Sequence, residues 1–185
     1  DEVWITWAVG HLLELQTPEE YDESFKDWRK SIDKLPFIPE NFKLKPITGR
    51  GSNRKQLTAI KKMITSKDCL EVVNACDAAR EGELIFRRIV EFSKVKCKTS
   101  RMWLQSLTND SIQNAWNNRV SSSDYEPLRD AAVSRAEADW IIGMNGSRVA
   151  ATFLRTSRND KKSLSIGRVQ TCLLYTSPSP RDNRV

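Results

Sequence analysis

A short apolar segment that ends in a cluster of acids constrains the fold of this chain more than any other feature. Residues Leu70 to Cys76 are apolar enough for a buried strand and are followed at once by the turn Asp77-Ala-Ala-Arg-Glu-Gly-Glu83. Beyond the turn, apolar side chains recur at helical spacing at Ile85, Phe86, Ile89 and Val90. A strand, a turn and a helix in this order form the repeating unit of α/β proteins. The sequence therefore predicts an α/β fold built around this unit.

The acids of the turn form a candidate metal site. Asp77 directly follows the predicted strand, and Glu81 and Glu83 belong to the first turn of the helix, so all three are expected at the carboxyl edge of a sheet, where α/β folds place ligands. Hard oxygen ligands without neighbouring Cys or His favour Mg²⁺ over zinc. The alternative is structural, because acids at a helix start complement its dipole by about 0.3 to 1 kcal/mol each.

The rest of the chain divides into further elements and one long connection. Four prolines between Gln16 and Asn53 exclude a long regular element there, so this segment is predicted to be a connection pinned by its aromatic residues. The predicted strands are Val3 to Val9 and Arg101 to Leu107. The predicted helices are Lys55 to Thr65, Thr108 to Val120, and Glu126 to Leu154 with a break near Gly143 and Gly146.

Charge favours a polyanionic partner. Lys and Arg total 30 against 24 Asp and Glu, which gives a formal charge of +6. Basic residues cluster in Lys43 to Lys62 and in Arg148 to Lys162, although such clusters also occur as merely solvated faces. The four cysteines form no CxxC pair, which indicates reduced thiols and a cytoplasmic location. No apolar run reaches the roughly 20 residues of a membrane helix, so no membrane partner is expected.

The first and last residues of the chain have unusual features. The first residue is not Met, so we expect that sequence has been lost upstream of Asp1. The last residues, Cys172 to Val185, look like the translation of a transposon adapter used in building sequencing libraries. Residues 172–185 are therefore expected to be a non-native tail, and the native sequence is expected to stop near Thr171.

Four separated motifs resemble known families. The order Asp-x-x-Arg-Glu-Gly-Glu at residues 77–83 resembles the acidic motif of the Toprim fold, shared by type IA and type II topoisomerases, bacterial primases and some nucleases. Three further stretches look specifically like the topoisomerase III branch of the type IA enzymes. They are Thr6 to Glu14, Arg135 to Asn145 followed by Ser147 and Arg148, and Leu164 to Thr171. The resemblance runs from Val3 to Thr171.

The resemblance implies a domain layout and an activity. Residues 1–109 would be a Toprim domain that lacks its first strand, and residues 110–171 the start of a mainly α-helical DNA-binding domain. The intact parent would be a monomeric, nucleoid-associated, ATP-independent enzyme. It would cleave and rejoin single-stranded DNA through a 5′-phosphotyrosine, relaxing negative supercoils and separating linked DNA. The attacking tyrosine and a metal-binding glutamate of the family lie outside this chain, so the chain alone is expected to be inactive.

The family holds Mg²⁺ with an Asp-x-Asp-x-Glu pattern, which this chain matches in part. Asp77 and Glu81 match the outer positions, and Ala79 stands where the family has its middle Asp. The resemblance therefore implies weaker Mg²⁺ binding, with Glu83 near enough to contribute as a third ligand.

Single-stranded DNA is the partner that the resemblance implies. The residues that it places along the strand are His11, Trp28, Trp140, Arg148, Arg155, Ser165, Gly167, Arg168 and Gln170. Arginine pairs with phosphate and aromatic faces stack on bases, which suits this set. Each aromatic member has a structural alternative, since Trp140 fits a core position, His11 fits a structural role beside Gly10, and Trp28 fits a loop anchor. Arg168 is the strongest candidate, because an arginine after Ser-x-Gly suits a phosphate better than a core.

Two rival functions share part of this pattern. A Toprim nuclease or primase would share Asp77 and Glu81 but would not need Leu164 to Thr171. A non-catalytic module that binds single-stranded DNA would need the basic segments and no metal.

Overall fold

The computed structural model describes residues 2–48, 51–154 and 165–167 of the 185-residue chain. The described residues group into two compact units. One unit takes its residues from 2–15 and 43–134, and the other from 16–42 and 135–167.

The regular elements are mostly short. The strands are β1 (Leu13–Leu15), β2 (Leu44–Pro46), β3 (Glu71–Asn74), β4 (Lys98–Arg101) and β5 (Val120–Ser121). The α-helices are α1 (Pro18–Tyr21), α2 (Gly51–Ile64), α3 (Arg80–Ser93), α4 (Asn109–Asn117) and α5 (Glu126–Phe153). Single 3₁₀ turns occupy Glu23–Lys26, Ile32–Lys34 and Ser122–Tyr125.

The first unit contains the predicted α/β unit. Strands β3 and β4 are parallel neighbours, with Glu71 opposite Lys98 and Asn74 opposite Arg101, and helix α3 is the connection between them. Strand β5 extends the sheet antiparallel to β4, and β1 and β2 form a separate antiparallel pair. The predicted α/β class is confirmed.

The apolar core of the first unit packs helices α2 and α3 against β1. The periodicity that predicted α2 and α3 places one apolar face of each helix inward, because helical residues three and four apart share a face. The buried cluster consists of Leu12, Leu13, Leu57, Ile60, Ile64 and Ile89. Burial of each of these side chains stabilises the fold by roughly 1.5 to 3 kcal/mol.

The predicted strand Val3 to Val9 is wrong. This segment forms no strand, and Ile5, in its middle, is 86% exposed. A strand needs a ladder of backbone hydrogen bonds, and none of the described residues pairs with this segment as a strand. Its backbone is held instead by a side chain, because Gln56 Nε2 donates to the carbonyl oxygen of Trp7 at 2.7 Å.

The predicted strand at Arg101 to Leu107 is placed too late in the sequence. The strand is Lys98–Arg101, and its partner β3 ends at Asn74. The ladder between β3 and β4 fixes the strand bounds, and the β-forming residues Trp103 and Leu104 lie beyond the last partner.

In the second unit, helix α5 is not broken at its glycines. The helix continues through Gly143 and Gly146, and residues 165–167 cross it there. A Cβ on Gly146 would lie 3.3 Å from Ile166 Cγ2, and one on Gly143 would lie 3.4 Å from the Ile166 carbonyl oxygen. The two glycines therefore give the crossing segment room.

The proline-rich connection is pinned by aromatic side chains, as predicted. Phe37 contacts Tyr21, Phe25 and Trp140, with ring centroids 5.6, 4.8 and 6.1 Å away. Asn145 of α5 also holds the backbone of Phe37 on both sides, because Phe37 N donates to Asn145 Oδ1 at 2.7 Å and Asn145 Nδ2 donates to Phe37 O at 3.0 Å. The predicted domain boundary at residue 109 stays a prediction.

Candidate metal centre and nucleic-acid contacts

The turn between β3 and α3 is fixed by a close approach between Gly82 and Asp77. A Cβ on Gly82 would lie only 2.3 Å from the backbone oxygen of Asp77 and 2.8 Å from its nitrogen. No side chain fits there, so only glycine lets the first turn of α3 lie against the backbone of Asp77. The side chains of Asp77 and Glu81 are both exposed on this turn.

Arg101 supports the same turn from inside the protein. Its side chain is fully buried at the end of β4, and Nη2 donates to the backbone oxygen of Asp77 at 2.6 Å. The guanidinium also lies over the ring of Trp103, 5.2 Å from the centroid. Burial lowers the pKa of Arg101, and the nearby Glu83 carboxylate opposes that change. Asp77 is thus held by its backbone, which leaves its carboxylate exposed to solvent.

Glu83 lies in a buried ionic network. It is 1% exposed, and its carboxylate accepts from Arg87 Nε at 2.6 Å and from Asn74 Nδ2 at 3.0 Å, with Arg101 Nε 3.7 Å away. Arg87 continues the network, since Nη1 donates to Glu126 Oε1 at 2.8 Å and Nη2 to the backbone oxygen of Ser122.

The structure does not bring the three predicted carboxylates together as one metal-binding group. Within the ranges 2–48, 51–154 and 165–167, no three His, Cys, Asp or Glu side chains are arranged to hold a metal ion. Glu83 faces inward while Glu81 faces solvent, because residues two apart on α3 are rotated by about 200° around the helix axis. Asp77 precedes α3, and its side chain is exposed. The predicted role of Glu83 as a third ligand stays a prediction.

Glu81 has a partner that sequence reasoning did not assign to it. His11 Nε2 lies 2.5 Å from Glu81 Oε1, although the two residues are 70 positions apart. Gly10, with a φ of 82°, makes the turn that precedes His11. The Glu81 side chain is still 67% exposed, so the contact orients the carboxylate without burying it.

Two exposed carboxylates, one of them oriented, fit a hard divalent cation. Mg²⁺ keeps several of its waters and takes one or two protein carboxylates, so a solvent-facing pair suits it better than a closed cage would. Asp77 and Glu81 each offer one exposed carboxylate on this turn, and Ala79 between them offers none. That the two hold one ion stays a prediction.

In the second unit, Arg148 already has protein partners. Its side chain is almost fully buried, Nη2 donates to Glu19 Oε2 at 2.7 Å, and its guanidinium lies over the half-buried Trp28 ring at 4.7 Å. Burial lowers its pKa, and the Glu19 carboxylate opposes that change. Trp28 and Arg148, predicted separately as DNA contacts, are therefore neighbours.

Trp140 occupies the core position named as its alternative. It is 8% exposed, and its ring meets Phe42 edge-on with centroids 5.4 Å apart. Such packing stabilises the unit and leaves little of the ring for a base, so its role as a stacking residue stays a prediction.

A cleft lies between the crossing segment and α5. Its volume is about 380 Å³, and its walls include Trp28, Met144, Arg148 and Ile166. Ser147 Oγ accepts from the backbone nitrogen of Ile166 at 2.9 Å, which fixes the segment that contains Ser165 and Gly167. Arg155, Arg168 and Gln170 lie outside the described residues.

The residues that sequence reasoning missed are Asn74, Arg87 and Arg101. Arg87 stands four residues after Glu83, and this spacing on a helix favours an ion pair. The spacing was therefore a usable signal. Nothing in the sequence marked Arg101, because its place opposite Asn74 depends on the register of β3 and β4.

Comparison with known protein families identifies the class of this chain. The profile of the Toprim domain matches residues 1–107, which is more than half of the chain, and the chain therefore belongs to the Toprim domain family. The resemblance to topoisomerase III is confirmed as well. The chain is 42% identical over 171 residues to the DNA topoisomerase 3 of Bacillus subtilis (strain 168), and 42% identical over 171 residues to that of Bacillus licheniformis.

A third relative matches nearly as much of the chain. The DNA topoisomerase 3 of Staphylococcus saprophyticus is 38% identical over 167 residues. The matches cover 92%, 92% and 90% of this chain. The chain spans 22% of the length of each of these relatives. None of the helices in the described part of the chain has the length and apolar character needed to span a membrane.

Proposed function

We propose that this chain is the metal-binding and early DNA-binding part of a type IA DNA topoisomerase of the topoisomerase III kind. One observation carries the proposal: two exposed carboxylates stand on a turn that Gly82 and Arg101 fix, within a chain similar to DNA topoisomerase 3 over 92% of its length. The whole protein would relax negative supercoils and decatenate DNA without ATP.

Asp77 and Glu81 are the residues that would hold Mg²⁺. When bound, the ion supplies positive charge next to the phosphate of the cleaved strand. The protein's own contribution is positioning, since Arg101 and Gly82 hold the Asp77 backbone and His11 orients the Glu81 carboxylate. Transesterification itself would use a tyrosine outside this chain.

Replacing Ala79 tests the metal proposal. Ala79 is the N-cap of α3, has an extended backbone and makes no side-chain cap hydrogen bond. Ala79→Asp should restore a middle carboxylate and tighten Mg²⁺ binding by about tenfold, measured by calorimetry, because Mg²⁺ gains a charged oxygen ligand.

The matched control is Ala79→Ser. Asp and Ser both cap helices and should both stabilise the fold by about 0.5 to 2 kcal/mol. Only Asp adds a carboxylate. Equal Mg²⁺ affinity in the two variants would contradict a metal site on this turn.

The proposed partner is single-stranded DNA, held by the monomeric chain along the second unit. Trp28 lines the cleft with its ring beneath the Arg148 guanidinium, and Ile166 also lines it. Arg148 is bound to Glu19, so we assign it a positioning role for Trp28 and propose Arg168 as the phosphate contact.

Arg168→Ala should weaken binding to a labelled single strand and reduce the salt dependence. Loss of one phosphate contact should lower the slope of log K against log salt by about 0.7. Fluorescence anisotropy at several salt concentrations measures both quantities. Lys67→Ala is the matched control, because Lys67 is an exposed cation in the turn after α2, in the other unit. An unchanged slope for Arg168→Ala would count against Arg168 as a phosphate contact.

This chain alone should not cleave DNA. Its two described tyrosines are packed on other rings, Tyr21 on Phe37 and Tyr125 on Trp103, and neither stands in the setting of an attacking tyrosine. We expect no plasmid relaxation by the purified chain with Mg²⁺, as followed by gel electrophoresis. Relaxed topoisomers in that assay would refute the expectation. An inactive chain would act as a cytoplasmic, nucleoid-associated module that binds single-stranded DNA.

A further inference from the structure

Two cysteines lie side by side at the start of the parallel strands. Cys69 Sγ and Cys97 Sγ are 3.7 Å apart, and both side chains are half-buried. The proposed topoisomerase function uses neither residue. We propose that this pair is an oxidation site, at which hydrogen peroxide converts two thiols into one disulfide.

The position of the pair decides what the disulfide would do. Cys69 precedes β3 and Cys97 precedes β4, and these strands are parallel, so the bond would join their amino ends across the α3 connection. Asp77 follows the opposite end of β3. The crosslink would therefore stabilise the α/β unit without contacting the proposed metal residues.

The chemistry needs one oxidant and little movement. Hydrogen peroxide oxidises the first thiol to a sulfenic acid and releases one water, and the second thiol then attacks that sulfur, forms the S–S bond and releases another water. The sulfurs must approach by about 1.7 Å to reach the bonded distance of roughly 2.05 Å, which side-chain rotation can supply.

The resting state of the pair is the dithiol. Burial, and then the hydrogen bond with the Cys69 thiol, raises the pKa of Cys97. A protonated thiol is a weak nucleophile, so Cys97 reacts slowly and the dithiol is the resting state of the pair.

The expected effect is a reversible gain in thermal stability. A bond between residues 28 positions apart restricts the unfolded chain and should raise the melting temperature by roughly 5 °C or more. Reduction by dithiothreitol should remove the gain.

The experiment uses the full chain with Cys76→Ser and Cys172→Ser, so that only the two proposed thiols remain. The Cys76 change also simplifies the map, because trypsin otherwise leaves Cys69 and Cys76 on one peptide, residues 68–80. After treatment with hydrogen peroxide, non-reducing mass spectrometry should show peptide 68–80 joined to peptide 97–98, two hydrogens lighter than their sum. Adding Cys69→Ser to the same background should abolish both the joined peptide and the rise in melting temperature.

Two results would overturn the proposal. If the thiols give sulfinic acids or bonds between chains, and no joined peptide, the pair is not a disulfide site. If the joined peptide forms and the melting temperature does not rise, the proposed stabilisation of the α/β unit is wrong.

Discussion

Glu83→Ala should lower the free energy of unfolding by about 3 to 5 kcal/mol, the cost of removing one partner of a buried ion pair. Glu83 is 1% exposed and is the anion between Arg87 and Arg101. Without it, the buried Arg101 would lose the carboxylate that lies 3.7 Å from its Nε, and Asn74 Nδ2 would lose its acceptor. Total stabilities of small domains are only about 5 to 15 kcal/mol, so urea denaturation followed by circular dichroism should show a large change.

Two variants make this result interpretable. Glu91→Ala removes an exposed glutamate from the same helix and should change stability by less than about 0.5 kcal/mol. Glu83→Gln keeps the shape of the side chain but removes its charge, so its loss of stability should be intermediate. An effect of Glu83→Ala no larger than that of Glu91→Ala would refute the network.

The same variants separate the two roles considered for Glu83. If Glu83 is a structural anion, Glu83→Gln lowers the stability of the protein whether or not metal is present. If Glu83 is a third metal ligand, Glu83→Gln lowers the Mg²⁺ affinity and leaves the stability unchanged. Calorimetric titration of Glu83→Gln with Mg²⁺ therefore decides between the buried network and the predicted ligand.

Local patterns predicted the α/β unit well because its elements are continuous in sequence. The apolar residues from Leu70 to Cys76 and the spacing of Ile85, Phe86 and Ile89 depend only on near neighbours, and β3 and α3 appear there. The strand β4 was placed too late, because its bounds depend on pairing with β3. Pairing is a long-range property that a single segment does not encode.

The candidate site also has one part that local patterns predicted and another that depends on long-range contacts. Asp77 and Glu81 stand on the turn that the motif predicted, and both are exposed. The contact between His11 and Glu81, and the burial of Glu83 between arginines, required the fold. Gly143 and Gly146 indicated a helix break by propensity, but they accommodate Ile166, a contact with a distant part of the chain.

Gly82→Ala is expected to destabilise the fold and to weaken Mg²⁺ binding by tenfold or more, although helix propensity alone predicts the opposite sign. Alanine in a helix interior is favoured over glycine by about 1 kcal/mol. The added methyl group, however, would lie 2.3 Å from the backbone oxygen of Asp77. Overpacking costs about 1 to 3 kcal/mol, and here backbone must move. The movement would displace the residue that we propose as a metal ligand.

Gly143→Ala is the matched control for the predicted sign of the stability change. It lies in the interior of α5, and within the described residues its Cβ would meet only the Ile166 carbonyl oxygen, at an ordinary 3.4 Å. We expect this variant to be neutral or to gain up to about 1 kcal/mol, with Mg²⁺ affinity unchanged. If both variants gained stability, the helix propensity of alanine would outweigh the contact between the added methyl group and Asp77. The turn would then not be fixed by Gly82. If Gly82→Ala lost stability but kept its Mg²⁺ affinity, the metal would bind elsewhere.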